Sequence, residues 1–291
     1  MAVRSNGTGR KRRRLRPRLA ALLAGALLAG ACGEEPVEIP LATVGADNLL
    51  FDRGNTALQE GDWRTAREYF LQIRDNYPQS ALRAETRLAI GDTLEVEGTI
   101  ESYISALSEY RDFLALYPTH PRADYAQYKL GMVYYNQMRR PERDQTETRN
   151  AVTELELFLQ RYPGSRLIND VREKLREALD RLSENNYVVG KYYHDRKWYP
   201  GAIDRLETIL DEDPGYTARD AVYYHLADSL SRTARIEEAL PMFEQLLEEF
   251  PESEFIEDAT ERMAELRQGA AQREAAASSA ENVTENQTAN R

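Results

Sequence analysis

The sequence predicts an all-α fold, a solenoid of five helix hairpins closed by a capping helix. Three observations predict it. A small residue, an alanine and a proline recur in one order along the chain, no stretch alternates as a β-strand does, and breaker-rich polar segments fall between the helical stretches. Gly54 is followed by Ala66, Phe70 and Pro78. The order returns at Gly91, Ala106, Tyr110, Pro118; at Gly131, Ala151, Leu155, Pro163; at Gly190, Ala202, Leu206, Pro214; and at Ala227, Ala239, Phe243, Pro251. In every copy the proline lies twelve residues after the alanine. Self-similarity of this kind marks a repeat architecture.

Each copy reads as two helices joined by a turn. The small residue sits midway along the first helix, where glycine costs about 1 kcal/mol against alanine. Close approach of the second helix through its own small residue, the repeated alanine, accounts for that cost. Phe70, Tyr110 and Phe243 then fill the space between helix pairs. The proline ends the second helix, since it lacks an N–H and pushes its predecessor out of helical geometry. The pattern resembles the tetratricopeptide repeat (TPR), about 34 residues long. Proline spacings here are 40, 45, 51 and 37, the longer ones reflecting inserts before the second helix and an extended first helix in the fourth unit.

In order, the predicted repeats span about 46–79, 80–119, 120–164, 165–215 and 216–252. The first helix of repeat one carries Leu49, Leu50, Arg53, Ala57 and Leu58, near a helical stripe. Asp62 is the expected N-cap of its second helix, and Ser80 that of the helix opening repeat two. The segment 136–148 is polar and proline-broken, so it reads as a loop protruding from the solenoid. Residues 165–196 hold no strong breaker and predict one long helix or two nearly collinear ones. Residues 253–267 form a cap over the last repeat, as solenoid ends require. From Gln268 the aromatics vanish and Ala, Ser, Asn and Glu dominate, which predicts a disordered tail over 269–291.

The N-terminus has a separate logic. Residues 1–31 hold eight basic and no acidic side chains, and Leu19 to Ala31 is almost wholly Leu, Ala and Gly. A positive start, a short apolar run and small residues at its end make a secretory signal, too short to span a bilayer. The only cysteine, Cys32, follows directly in Leu28-Ala29-Gly30-Ala31-Cys32, which resembles the bacterial lipobox and makes Cys32 the expected site of lipid attachment. Residues 33–45 then read as a tether. Several acyl chains anchor stably where one is marginal. Gly33 stands where an Asp would signal inner-membrane retention, so the expected location is the outer membrane, on its periplasmic face.

Charge and motifs exclude several classes. The chain of 291 residues has net charge −11; after residue 31 it carries 30 basic against 49 acidic side chains, a net of −19. No basic stripe relieves that repulsion toward phosphate backbones, so nucleic acid is not an expected partner. His120, His194 and His225 lie in different repeats and match no zinc pattern. No nucleophile elbow or phosphate loop is present, and neither catalysis nor a cofactor is expected. In TPR arrays the first helices line the concave groove. The facing positions include Phe51, Asn55 and Leu58; Leu88, Asp92 and Glu95; Tyr128, Met132 and Tyr135; Tyr187, Lys191 and His194; and Tyr224, Asp228 and Ser231. Aromatic side chains there suit an extended peptide, with packing against neighbouring helices as the competing role.

Some residues narrow the field further. Arg143-Asp144-Gln145-Thr146, then Phe158-Leu159-Gln160-Arg161-Tyr162-Pro163-Gly164-Ser165, and downstream Tyr192-Tyr193, Arg196, Tyr199, Ala202-Ile203 and Arg205 resemble the BamD (ComL/YfiO) family of TPR lipoproteins. The resemblance covers about residues 46–255. It implies a non-enzymatic scaffold of the outer-membrane β-barrel assembly (BAM) complex. Its implied partners are the POTRA domain of a BamA-like barrel subunit and unfolded outer-membrane protein clients. Arg205, with Arg196, matches the positions expected to meet the barrel subunit. Two other readings fit a TPR lipoprotein: a pilotin for secretin or pilus assembly, and a cell-wall enzyme or its activator. Replacing Cys32→Ser is expected to release the protein into the soluble periplasm with its helicity unchanged, measured by membrane fractionation and circular dichroism.

Overall fold

A computed structural model describes residues 45–289, with side chains described as far as residue 273 and at 275. Cys32, the signal and all but the last residue of the tether lie outside the described residues. The described chain is helical throughout. Five hairpins pair α1 (Ala46–Gln59) with α2 (Trp63–Asn76), α3 (Arg83–Glu97) with α4 (Ile100–Leu116), and α5 (Ala123–Tyr135) with α6 (Thr146–Arg161). They continue with α7 (Ile168–Asp195) and α8 (Tyr199–Glu212), then α9 (Arg219–Arg232) and α10 (Ile236–Glu249). The last helix, α11, is Ile256–Ala289. Each helix packs on its sequence neighbours. The first helices also touch one another, α5 with α7, α7 with α9 and α9 with α11, without comparable contact between second helices. The first helices therefore form the inner face of the array.

The proline rule holds at every hairpin end. Tyr77, Tyr117, Tyr162, Asp213 and Phe250 precede the prolines in non-helical backbone, and each still donates its N–H to the carbonyl four residues back. The glycines behave differently from expectation. A methyl on Gly54 would lie 2.5 Å from the Phe70 ring, one on Gly91 2.6 Å from Tyr110, and one on Gly131 2.6 Å from Leu155. The close approach is thus to the large residue four positions after the alanine, not to the alanine. Phe70, Tyr110, Leu155, Leu206 and Phe243 are all fully buried, and so are Ala66, Ala106, Ala151, Ala202 and Ala239. Glycine is used because a large side chain of the partner helix, a ring at Gly54 and Gly91 and a leucine at Gly131, occupies the space of its Cβ.

Turns inside the hairpins share a second device. Gly61, Lys197 and Ala234 take left-handed backbone with φ of 82°, 61° and 62°. The residue after each donates back to close the helix end, Asp62 to Ala57, Trp198 to Tyr193 and Arg235 to Leu230. Asp62 caps α2 as expected, accepting from the Thr65 N–H at 3.1 Å.

Ser80 does not cap α3, which starts at Arg83 behind Leu82. Its hydroxyl instead accepts from the Leu82 N–H and donates to Asp47 in the first turn of α1 at 2.7 Å. The same latch recurs where Ser165 meets Asp124 at 2.6 Å and Ser253 meets Asp220 at 2.7 Å. His120 takes the place in the second hairpin, 3.3 Å from Glu85. Each latch ties the chain just beyond the proline to the first turn of the hairpin that it leaves. This sets the angle at which the next hairpin departs.

The third and fourth hairpins are joined by α7, 28 residues and about 42 Å long at 1.5 Å per residue. It forms one helix, and it explains why Asp213 stands where the other repeats have an aromatic residue. Arg176 of α7 grips both oxygens of Asp213 while Ser183 donates to it at 2.7 Å, and Asp213 is nearly fully buried. The insert before α6 does not protrude. Arg181 of α7 donates to the Arg139 carbonyl at 3.3 Å and Asn185 donates to that of Pro141. Buried Gln145 holds the loop closed, donating to the carbonyls of Arg140 and Arg143 and accepting from Thr148. A polar loop with many carbonyls lies down wherever a neighbouring helix offers donors, and α7 offers two. At the C-terminus α11 continues well beyond Arg267, through the stretch expected to be disordered. Its alanines and glutamates are good helix formers, with Gly269 the one poor residue near the junction.

Replacing Gly54→Ala should destabilise the protein by about 1–3 kcal/mol through overpacking against Phe70, despite the better helix propensity of alanine. Denaturant unfolding measures it.

Candidate binding surfaces of the repeat array

The first helices carry the predicted groove positions, and packing divides them. Leu88 is fully buried, so it belongs to the core and is not available to a ligand. Phe51 is half-buried, its ring 5.5 Å from that of Phe70. Leu58 packs on the same cluster, and Asn55 is half-buried beside it. Tyr128 meets Phe158 edge-on at 6.5 Å. Tyr135 donates its hydroxyl to Glu177, and the Lys174 ammonium stands 5.2 Å from its ring. Tyr187 lies edge-on to His225 at 5.7 Å, and Tyr224 stacks on Phe255 at 4.8 Å. Phe51, Tyr128, Tyr187 and Tyr224 thus keep one surface on the core and leave another partly open, while half-buried Tyr135 is held by polar groups of α7.

Between them lie polar networks that the groove positions alone did not reveal. In the N-terminal half, Asp92 accepts from the hydroxyls of Tyr110 at 2.7 Å and Tyr125 at 2.9 Å. Lys129 pairs with Glu95 at 2.6 Å. Burial first, and the Asp92 carboxylate next, push both phenols above their ordinary pKa, so they remain donors. Met132 and Asn55 there are half-buried and uncharged. The face there is mixed, with aromatic, apolar and acidic groups within a few helical turns.

In the C-terminal half Asp228 is the pivot. Only 6% of it is exposed. It accepts from His194 Nε2 at 2.9 Å and from Arg232 at 3.2 Å, and Arg262 of α11 stands 3.3 Å away. Burial alone would raise its pKa; the His194 hydrogen bond and the Arg232 charge outweigh this and hold it low. The Asp228 hydrogen bond in turn raises the pKa of His194. His225 does the opposite. Burial lowers its pKa, and its Nδ1 sits 2.8 Å from the Ala221 carbonyl. Lys191 pairs with Asp195 at 2.7 Å, and Ser231 donates to the Asp228 carbonyl. The pivot ties α7, α9 and the cap together, so these positions are occupied by internal bonds.

The turn from α7 to α8 presents a different surface. Tyr192 and Trp198 are 54% and 56% exposed, unusual for such large rings and therefore informative. Trp198 packs edge-on against Tyr193 at 4.5 Å, and Arg196 lies 5.2 Å over the Tyr192 ring. Arg205, on α8, is exposed; its guanidinium reaches Asn186 at 3.3 Å and no carboxylate within ion-pair distance. Both arginines are thus cations without an acidic partner among the described residues, and Arg196 lies over an exposed aromatic ring. The Pro-x-Ser spacing would have exposed the latches, since it recurs after Pro78, Pro163 and Pro251. The Asp228 pivot has no such local signal, because its partners lie on three different helices.

Among the described residues, no group of three or more His, Cys, Asp or Glu side chains is placed to hold a metal ion. No helix there is long and apolar enough to cross a membrane. What the fold and these surfaces define is a TPR-type helical scaffold, with its polar chemistry spent on internal bonds and one exposed basic–aromatic corner. The chain belongs to the outer membrane lipoprotein family YfiO, whose model matches residues 45–227 and 221–281. The outer membrane protein assembly factor BamD of Caulobacter vibrioides is 27% identical over 221 residues, covering 76% of this chain and 72% of that protein. The protein of the same name from Vibrio cholerae is 26% identical over 243 residues, covering 77% and 98%. Among solved structures, the TPR2AB-domain:pHSP90 complex of yeast Sti1 has a TM-score of 0.43 at 13% identity, covering 78% of this chain and 85% of that one.

His194 supplies a pH signature. Its folded pKa is raised, so its contribution to stability is complete below the unfolded value of about 6.5 and is lost as pH rises through the folded value. His225, lowered by burial, acts with opposite sign and only as pH falls. The His194→Gln variant should therefore lose the decline in stability that the parent shows above about pH 6.5. Thermal unfolding across pH measures it.

Proposed function

We propose that this protein is a lipid-anchored, non-enzymatic scaffold for assembling β-barrel proteins into the outer membrane. Cys32 carries the lipid and holds the array on the periplasmic face. No cofactor takes part. The exposed corner formed by Tyr192, Arg196, Trp198 and Arg205 receives an acidic surface on the POTRA domain of a BamA-like barrel subunit. The inner face of the first three hairpins, with Phe51, Asn55, Leu58, Tyr128 and Tyr135, receives extended segments of unfolded barrel clients, and Tyr187 and Tyr224 continue that face.

The observation that carries the reading is membership of the outer membrane lipoprotein family together with two exposed arginines that have no acidic partner among the described residues. The relatives' name, outer membrane protein assembly factor, supplies the process. An exposed arginine contributes little to the stability of the free protein. The same group desolvated against a carboxylate in an interface costs about 2–5 kcal/mol when truncated. Arg205 therefore has more to do in a complex than alone. The open ring surfaces of the inner face suit apolar and aromatic side chains of an extended peptide, and the half-buried rings are already ordered, which lowers the entropy lost on binding.

Replacing Arg205→Glu should abolish co-purification of the barrel subunit from solubilised envelopes while leaving the melting temperature within about 2 °C, since a surface change alters stability by less than about 0.5 kcal/mol. Retained co-purification at parental yield would overturn the assignment of this corner.

A further inference from the structure

A third surface is distinct from both of those just described. Between α8 and α10, the second helices of the last two hairpins, runs a groove of about 660 Å³. Leu226 and Leu230 of α9 form its floor, and Leu210, Met242 and Pro241 its walls. Leu210 and Met242 are half-buried and Pro241 is exposed, so the groove offers apolar surface to solvent. Four carboxylates edge it: Glu207 and Asp211 from α8, Glu237 and Glu238 from α10. One cation answers them. Arg235 donates to Glu238 at 2.7 Å and stands 3.5 Å from Glu207. Asp211 and Glu237 take no ion pair or side-chain hydrogen bond among the described residues. Pro241 adds to the demand for donors. It sits inside α10 and lacks the N–H that would bond the Glu237 carbonyl in a regular helix.

We propose that this groove is a docking site for an amphipathic segment of a partner protein, one that presents apolar side chains flanked by lysine or arginine. The apolar floor would bury the anchors, and the two unpaired carboxylates would meet the flanking cations. Charge decides against the chain's own tether, because residues 33–45 contain Glu34, Glu35 and Glu38 and no basic residue. The cap is already placed elsewhere, against α9 and α10. The proposal does not depend on the role of Arg205 or of the inner face, which lie on other surfaces.

The test uses the mature chain from residue 32 carrying Cys32→Ser, so that no detergent is needed, with isotope-labelled Leu and Met methyl groups. The probe is an 18-residue leucine–lysine amphipathic peptide, with its leucine–glutamate counterpart as control. Saturable shifts of the Leu210 and Met242 methyl signals are expected with the lysine peptide alone. The double reversal Asp211→Lys with Glu237→Lys should weaken binding at least tenfold. An equal change of charge elsewhere, Glu101→Lys with Glu156→Lys, should weaken it less than twofold. Should the groove reversal fail to fold, the milder Asp211→Asn with Glu237→Gln should weaken binding about threefold. Equal weakening by both reversals, equal binding of the two peptides, or shifts confined to other methyl groups would overturn the proposal. So would light scattering that traces the shifts to self-association.

Discussion

The structure depends on one contact repeated along the chain: a large side chain of the second helix pressed into the first helix where a Cβ is missing. Phe70 on Gly54, Tyr110 on Gly91 and Leu155 on Gly131 each occupy space that an alanine methyl would need. Helices that approach so closely gain dispersion contacts along their whole length and leave no room for water. The backbone cost of the glycine is offset by the packing that it permits. At Gly190 the contact is looser, 3.0 Å to Leu206, and at Ala227 a methyl is tolerated outright. The seam is therefore tightest in the first three hairpins and relaxes toward the C-terminus.

Where the seam relaxes, polar bonds hold the array. Arg176 with Asp213 joins α7 to the end of α8, and the Asp228 pivot joins α7, α9 and α11. Buried charged groups of this kind add little net stability over an apolar core, but breaking one is costly and they admit a single arrangement. The C-terminal hairpins are thereby fixed relative to one another by directional bonds rather than by shape alone. The latches of Ser80, Ser165 and Ser253 act at the other edge and serve the same end, each fixing a departure angle with one short hydrogen bond.

Charge gives the surfaces separate characters. The chain is strongly acidic after residue 31, yet among the described residues Arg196 and Arg205 pair with no carboxylate. The groove between α8 and α10 lies on the same pair of hairpins and carries the reverse sign at its rim. The same pair of hairpins thus carries charge of both signs, the Arg196 and Arg205 cations and the carboxylate rim of the groove.

The sequence by itself determined the hairpins, their number and their stops. Glycine, alanine and proline act within one or two turns of backbone, so their spacing can be read without knowing what packs where. The long α7 was legible for the same reason, as a stretch with no breaker. Only the tertiary structure decided which residue meets each glycine, that Ser80 latches rather than caps, that Leu88 is core rather than groove, and that the insert lies on α7. Each of those depends on partners from distant parts of the chain. The Asp228 pivot draws on His194 and Arg262, 34 residues away on either side, and no local period encodes such a meeting.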